Sequence, residues 1–311
     1  MPELPEVETI KLGLQKKIIG LKIKKIQILS AKSFIGDPKL VENKKVINVF
    51  RRAKMLGVEL TGNSEQVTGK KNYNLVLLFH LKMSGQIIFI PKGNPSTTDH
   101  KRFIGGHPTF DMAGKMPNSH TRVIFEFSDP LRPRSEASGS SLYFNDQRKF
   151  GWVKVVDSDQ LTMDSLFEKL GPEPLEKDFS WQILKENLLK HKKTPIKVSL
   201  MDQAVVSGVG NIYANEACFS AGLDPRVRVR ELSDLQIKKL HAGIIKSLKE
   251  GIKYGGASRA HFVDSDGYKG YFLDYVFVYG RDKHPCKVCK LKIEKITLGG
   301  RGTFFCPACQ R

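Results

Sequence analysis

Two places in this sequence hold residues whose types and spacing can do chemistry. At the amino end stands Met1-Pro2-Glu3. Removal of an initiator methionine would turn Pro2 into a free secondary amine, a nitrogen nucleophile competent to attack carbon once deprotonated and held in position. Glu3 beside it can donate a proton and later accept one. Near the carboxyl end, Cys286, Cys289, Cys306 and Cys309 form the pattern C-x2-C-x16-C-x2-C. Each C-x2-C turn can aim two thiolates at one tetrahedral ion, and a hairpin between the pairs brings them side by side, so the spacing predicts a zinc ribbon holding one structural Zn2+. Disulfides are the other reading of four such cysteines, and the lack of a secretory segment argues against it. The fifth, Cys218, lies in the apolar stretch Ala217-Cys218-Phe219 and reads as a packing residue.

The charge balance narrows the partner. Lys and Arg number 51 against 32 Asp and Glu, a formal charge of +19, and the isoelectric point is near 9.6. Such a bias points to a polyanion, with nucleic acid ahead of an anionic membrane surface, because phosphate binding releases counterions. No apolar run approaches the ~18 residues that span a bilayer, and the mean hydropathy is −0.29. The first residues are acids and prolines where a secretory signal needs a basic start and an apolar stretch. We therefore expect no membrane association and an intracellular address: cytoplasm and nucleoid in a bacterium, nucleus in a eukaryote.

These residues need elements to position them, and 311 residues suit about two domains. Over 5–20, Val7, Ile10, Leu14 and Ile18 share one helical face behind an acidic first turn. From 21 to 157 the texture turns to short β-rich runs at 21–29, 46–50, 75–81, 123–127 and 152–157, with a further strand-like run at 54–60. A β-sandwich or barrel is the economical reading. Polar stretches near 61–73, 92–119 and 129–140 read as surface loops or insertions. After about 160 the pattern is helical, with helices predicted over 180–190 and 211–221 and a long one opening at Ser233, where Gln236 could complete a capping box. Its apolar stripe is Leu240, Ile244, Leu248 and Ile252.

The opening Pro2-Glu3-Leu4-Pro5-Glu6-Val7-Glu8 resembles the signature of the formamidopyrimidine-DNA glycosylase and endonuclease VIII family. Similar stretches follow in order along nearly the whole chain: Arg51-Arg52-Ala53-Lys54, His80-Leu81-Lys82-Met83-Ser84-Gly85, Arg148-Lys149-Phe150-Gly151, Met201-Asp202-Gln203, Gly208-Val209-Gly210-Asn211-Ile212-Tyr213-Ala214, Val278-Tyr279-Gly280-Arg281 and the cysteine ribbon. The resemblance implies an α+β fold, in which an N-terminal helix and antiparallel β-sandwich (1–160) precede a helical helix-two-turn-helix domain (161–280) and a β-hairpin zinc ribbon (281–311). It implies a monomeric bifunctional glycosylase and abasic-site lyase acting on double-stranded DNA with oxidised or abasic lesions, cutting the strand by β,δ-elimination through a Pro2 Schiff base.

Site residues carry over one by one. Pro2 is the implied nucleophile, Glu3 the general acid and base, and Lys54 a cation gripping a phosphate or sugar oxygen at the lesion, or a plain phosphate contact. Glu6 either orients Glu3 and the N-terminus or is an ordinary helix-start acid favoured by the dipole. An enzyme that works on a base flipped out of the stack must fill the hole, and Met83, Arg148 and Phe150 match the family's void-filling trio. Without the resemblance, Met83 and Phe150 would read as core. His120, Lys197, Asn211 and Arg301 are the implied DNA contacts. Ser258 and Arg259 lie in 255–267, which is similar to a loop that covers an everted purine. Departures from the family pattern are Ala257 where a hydroxyl residue is usual, His261 where an acid is usual, and Gln147 where a proline is usual. The Met83, Arg148 and Phe150 set, with Leu4 and Val7, favours oxidised purines, 8-oxoguanine and formamidopyrimidines, over oxidised pyrimidines. Two further readings stay open: a non-catalytic binder of damaged or branched nucleic acid, and a zinc-ribbon accessory protein that binds RNA or transcription machinery.

Overall fold

The computed structural model describes residues 1–62, 74–91, 102–107, 114–131, 139–161, 165–257 and 271–311. Ser258 and Arg259 therefore lie outside the described residues. The described residues divide into two units, one within 1–2 and 6–168, the other of 3–5, 169–257 and 271–311. Among the described residues no helix is long and apolar enough to cross a membrane.

The first unit is built on helix α1 (Leu4–Ile18) and two five-stranded sheets. Pro5 suits the first turn of α1, where its missing N–H leaves no helical bond unmade. The predicted face of this helix, Val7, Ile10, Leu14 and Ile18, is at most 1% exposed and packs into the sandwich core. One sheet holds β1 (Lys22–Ile28), β6 (Gly85–Ile90), β7 (Phe103–Gly106), β8 (Thr121–Ser128) and β9 (Ser141–Asp146), in the order β1-β8-β9-β6-β7. The other holds β2 (Phe34–Ile35), β3 (Val46–Arg52), β4 (Met55–Leu60), β5 (Leu75–His80) and β10 (Trp152–Asp157), in the order β2-β10-β5-β4-β3. Every pairing is antiparallel except the two-residue match of β2 with β10.

The registers gather four loops at one end of the sandwich. Arg52 pairs with Met55, Met55 with His80, and His80 with Trp152. In the other sheet Gly85 faces Asp146, and Thr121 faces Asn145. The turns at 52–55, 80–85 and 146–152 and the start of β8 therefore share one edge of their sheets.

The sequence reading of 92–119 as a loop needs correction, because β7 lies inside it. Phe103 is 2% exposed and belongs to the core, but the strand is short and half glycine. A Cβ on Gly105 would run into Ile10, and one on Gly106 into the backbone of Gly85, so close packing removed the side chains that would have marked the strand. The N-terminal helix also ends at Ile18 rather than 20, with Gly20 (φ +91) turning the chain into the sandwich.

The second unit is helical. Helix α2 (Ser165–Glu168) precedes it in the chain, and its own helices are α3 (Trp181–Leu189), α4 (Ile196–Leu200), α5 (Asn211–Ala221), α6 (Asp234–Lys253) and α7 (Phe272–Tyr275). Ser233 and Gln236 cap α6 reciprocally as expected, and Leu240, Ile244 and Leu248 are fully buried. Two turns join α4 to α5, and Gln203 holds them: its Nε2 donates to the carbonyls of Met201 (3.0 Å) and Val209 (2.9 Å), and its Oε1 accepts from Gly208 N–H (3.0 Å). Strands β11 (Glu294–Leu298) and β12 (Arg301–Phe305) form the terminal hairpin around Gly299 and Gly300, both at positive φ.

Candidate functional site

In the first unit Pro2 is buried, and Glu6 sits in the first turn of α1, 9% exposed. Lys54 follows Ala53 (φ +53) in the β3–β4 turn and is only 6% exposed. Beside it in the register, His80 is held neutral, its pKa lowered to about 3 by burial and by the charges of Lys82 and Lys54. Its Nδ1 accepts from Lys82 N–H at 3.1 Å, which leaves Nε2–H as the donor.

Met83 and Phe150 are 38% and 57% exposed, so neither is a core residue. Each follows a lysine in the left-handed region, Lys82 (φ +51) and Lys149 (φ +59), so two tight turns push them outward. Arg148 bridges them: its Nη1 lies 3.1 Å from Met83 Sδ, and its guanidinium stands 5.2 Å from the centre of the Phe150 ring. The three residues form one exposed wedge of apolar chain, cation and ring. His120 is half-buried just before β8, and its carbonyl accepts from Asp146 N–H at 2.9 Å.

In the second unit the polar groups are turned inward. Glu3 Oε1 accepts from Ile212 N–H (3.0 Å) and Oε2 from Tyr213 N–H (3.4 Å), so this carboxylate caps the N-terminus of α5. The preceding Gly210 is required by space, since a Cβ there would land on the Glu3 carboxyl group. Leu4 N–H donates to Gly208 carbonyl at 3.0 Å, fixing the chain next to Glu3.

Lys197 is fully buried, and its Nζ donates to Asn211 Oδ1 at 2.5 Å. Burial brings its pKa down to about 8; Cys218 and Glu3 oppose the shift, and Arg301 adds to it. Asn211 Nδ2 donates to Gly302 carbonyl (3.2 Å), and Asn215 Oδ1 accepts from Phe304 N–H (2.7 Å), so one face of α5 stitches the hairpin in place. Arg301 is exposed at the start of β12. The structure thus brings Glu3, Lys197, Asn211 and the Arg301 strand together around the start of α5.

The four ribbon cysteines converge. Their sulfur atoms all lie within 4.8 Å of one another, with Cys286 to Cys309 at 3.9 Å and Cys289 to Cys306 at 3.3 Å. Sulfurs about 3.8 Å apart are what a tetrahedral Zn2+ with ~2.3 Å Zn–S bonds requires, so the donor set fits one structural zinc ion. Against burial, which raises it, the N–H groups of Cys289 and Val288 draw Cys286 down to about 7. Burial and the neighbouring thiols push Cys309 up to about 12. Four thiolates need a cation among them to coexist. At the end of the ribbon, Gln310 accepts from Cys306 N–H and donates to Leu223 carbonyl, which ties the metal centre to the end of α5.

Sequence reasoning passed over the residues that hold others in place. Asp146, fully buried, stands two residues before Arg148, and Glu216 stands two residues after Ala214. Glu216 Oε1 accepts from the N–H groups of Val278 and Tyr279 and Oε2 from Phe277 N–H, at 2.8–3.0 Å, anchoring the segment that leads into the ribbon. Nearness to a motif was the available signal. A lone acid in a β-rich or helical run gives no other.

Comparison with known proteins agrees with this geometry. Residues 1–153 match the model of the formamidopyrimidine-DNA glycosylase N-terminal domain, 170–262 its H2TH domain, and 283–311 a zinc finger found in FPG and IleRS. A formamidopyrimidine-DNA glycosylase of Hahella chejuensis is 36% identical over 315 residues, covering 100% of both chains. The structure also resembles that of Lactococcus lactis Fpg with abasic-site DNA (TM-score 0.78, 30% identity, 99% of each chain). A second structure of the wild-type L. lactis protein, with oxidised-pyrimidine DNA, matches at TM-score 0.77 and 30% identity over 100% of each chain. The chain therefore belongs to the formamidopyrimidine-DNA glycosylase family.

Proposed function

We propose that this chain is a bifunctional DNA glycosylase and abasic-site lyase that removes oxidised bases from double-stranded DNA, working as a monomer inside the cell, at the nucleoid of a bacterium. The observation that carries the reading is the fixed Pro2-Glu3 pair. Pro2 is buried, and the next residue is clamped by two N–H groups of α5 and by the lack of a side chain at Gly210. A non-catalytic binder has no need of such a nucleophile and proton carrier.

Once Met1 is removed, the Pro2 amine attacks C1′ of the damaged nucleotide, forming an N–C1′ bond as the glycosidic bond breaks and the base leaves with its electron pair. Glu3, held as an acceptor, takes the proton the amine must lose and delivers it to the ring oxygen, which opens to an iminium ion. Proline nitrogen keeps no proton in that ion, so the cation persists and draws electrons from the C2′–H bond. Loss of that proton breaks the C3′–O bond and expels phosphate, and a second elimination expels the other. Lys54 grips a phosphate or sugar oxygen at the lesion. Lys197 and Asn211 bind phosphate at the start of α5, with Arg301 and His120 contacting flanking backbone. Met83, Arg148 and Phe150 fill the vacated stack, the guanidinium donating to the O2 and N3 acceptors of an orphaned cytosine. This gives a preference for 8-oxoguanine opposite cytosine and for formamidopyrimidines over oxidised pyrimidines.

Borohydride reduction on abasic or 8-oxoguanine duplex tests the reading. The chain with a free Pro2 is expected to yield a stable protein–DNA adduct, and the same chain with an uncleaved N-terminal tag none. Equal trapping of both forms would refute the role of Pro2.

A further inference from the structure

Three loops at the site end of the sandwich meet at one residue that no role has yet claimed, two of them at its side chain and one at its backbone. Asp146 closes β9, is fully buried, and spends both carboxylate oxygens on loops that carry proposed DNA contacts. Its Oδ1 accepts from the Ser84 hydroxyl at 2.5 Å and from Arg148 N–H at 3.2 Å, while Oδ2 accepts from Gly151 N–H at 2.6 Å. Ser84 Oγ in turn accepts from Arg148 N–H at 3.1 Å. The backbone of the same residue holds the third loop. Asp146 N–H donates to His120 carbonyl, and Arg122 spans Asp146 carbonyl (Nε, 2.8 Å) and Ser119 carbonyl (Nη1, 3.1 Å). Met83 adjoins Ser84, and Phe150 adjoins Gly151. Arg148 and His120 are thus hydrogen-bonded to Asp146, and Met83 and Phe150 each adjoin a residue that is.

We propose that Asp146 is the positioning residue of the wedge: it locks the Met83 turn, the Arg148–Phe150 loop and the His120 loop into one body, so that insertion into the duplex and reading of the opposite base occur as a unit. This rests on the glycosylase reading above. The exposed turns have two lysines at positive φ, and Met83 and Phe150 are themselves exposed. A charged, multiply bonded acceptor is what fixes such turns. Asp146 itself is fully buried.

The test uses the full zinc-loaded chain and compares two substrates. Trapping on single-stranded abasic DNA needs no stack to be filled, whereas excision from duplex needs the wedge. Asp146→Asn keeps the shape and sets an amide group against its N–H neighbours, and Ser84→Ala removes only the hydroxyl link. Both variants are expected to trap single-stranded abasic DNA within about twofold of wild type. Asp146→Asn should lose at least tenfold in excision of 8-oxoguanine from duplex and lose its preference for cytosine over adenine opposite the lesion, with Ser84→Ala following in the same direction more weakly. Stacking fluorescence of 2-aminopurine next to the orphaned base should show a collapsed gap. Unchanged duplex excision and base discrimination in Asp146→Asn would overturn the proposal, and so would an equal loss on both substrates, which would mark a general folding role. If wild type itself traps nothing, the glycosylase reading fails, not the wedge assignment alone.

Discussion

The loops at the sandwich end present Met83, Arg148 and Phe150 to solvent, whereas the helical unit keeps Glu3, Lys197, Asn215 and Glu216 away from it. The first arrangement places its working atoms outside the core and fixes them from behind through Asp146. The second buries them, so each polar group must find a partner inside: Glu3 at the start of α5, Lys197 on Asn211, Asn215 on the hairpin. Exposed contacts can therefore be removed at little cost to stability, while removing a buried one leaves its partner unsatisfied and costs the fold.

The sharpest contrast is at the metal. Removing zinc by chelation, or replacing Cys289 with Ala, should unfold the hairpin and cost at least 100-fold in duplex affinity, because zinc binding and ribbon folding are one process worth about 10 kcal/mol or more. Metal analysis should find one zinc per chain. The sandwich, with its own core, should keep its thermal transition. Loss of both transitions together would erase the distinction between the two regions.

Glu3→Gln comes next. It should reduce base excision about 100-fold, the scale of a lost proton carrier, and destabilise the protein by about 1 kcal/mol, as loss of a charged helix cap does. Gly210→Ala, which drives a methyl group into the same carboxylate, should reproduce the loss of excision. Parallel kinetics and thermal melts check both effects, and full activity in Gly210→Ala would mean that the clamp has no part in catalysis.

Arg148→Ala should behave in the opposite way. Stability should stay within about 0.5 kcal/mol of wild type, since the side chain is exposed. Discrimination between cytosine and adenine opposite the lesion should fall about tenfold, the value of one or two guanidinium hydrogen bonds.

The smallest effect is one of pH. Burial lowers Lys197 to about 8, so between roughly 8 and its ordinary value the unfolded chain holds a proton that the native chain lacks, and stability rises with pH across that window. Phosphate binding runs the other way, because it needs the ammonium form. Duplex affinity should weaken a few-fold as pH rises through about 8, and Lys197→Met should flatten that profile while lowering the salt slope by about one ion.

Much of this organisation was legible in the residues. The capping pair Ser233 and Gln236, the apolar stripe of α1 and the cysteine spacing are local signals, and each appears in the structure where its spacing placed it. Strand β7 was not legible, because its marks were erased by Gly105 and Gly106, which exist to let Ile10 and the backbone of Gly85 approach. Asp146 and Glu216 were missed for a related reason. One Asp146 partner, Ser84, lies 62 residues away, and the Glu216 partners at 277–279 lie 61 to 63 away, so no window of sequence contains the whole network that explains them. Exposure of Met83 and Phe150 is likewise set by the left-handed turns before them, which two lysines do not announce.

In the proposed mechanism Pro2 forms the covalent bond. After borohydride trapping on 8-oxoguanine duplex and digestion of protein and DNA, mass spectrometry of the adduct locates the attached sugar remnant. It is expected on the peptide beginning at Pro2, with no Met1 present. A remnant found on Lys54 or any other amine, with an unmodified N-terminal peptide, would contradict it.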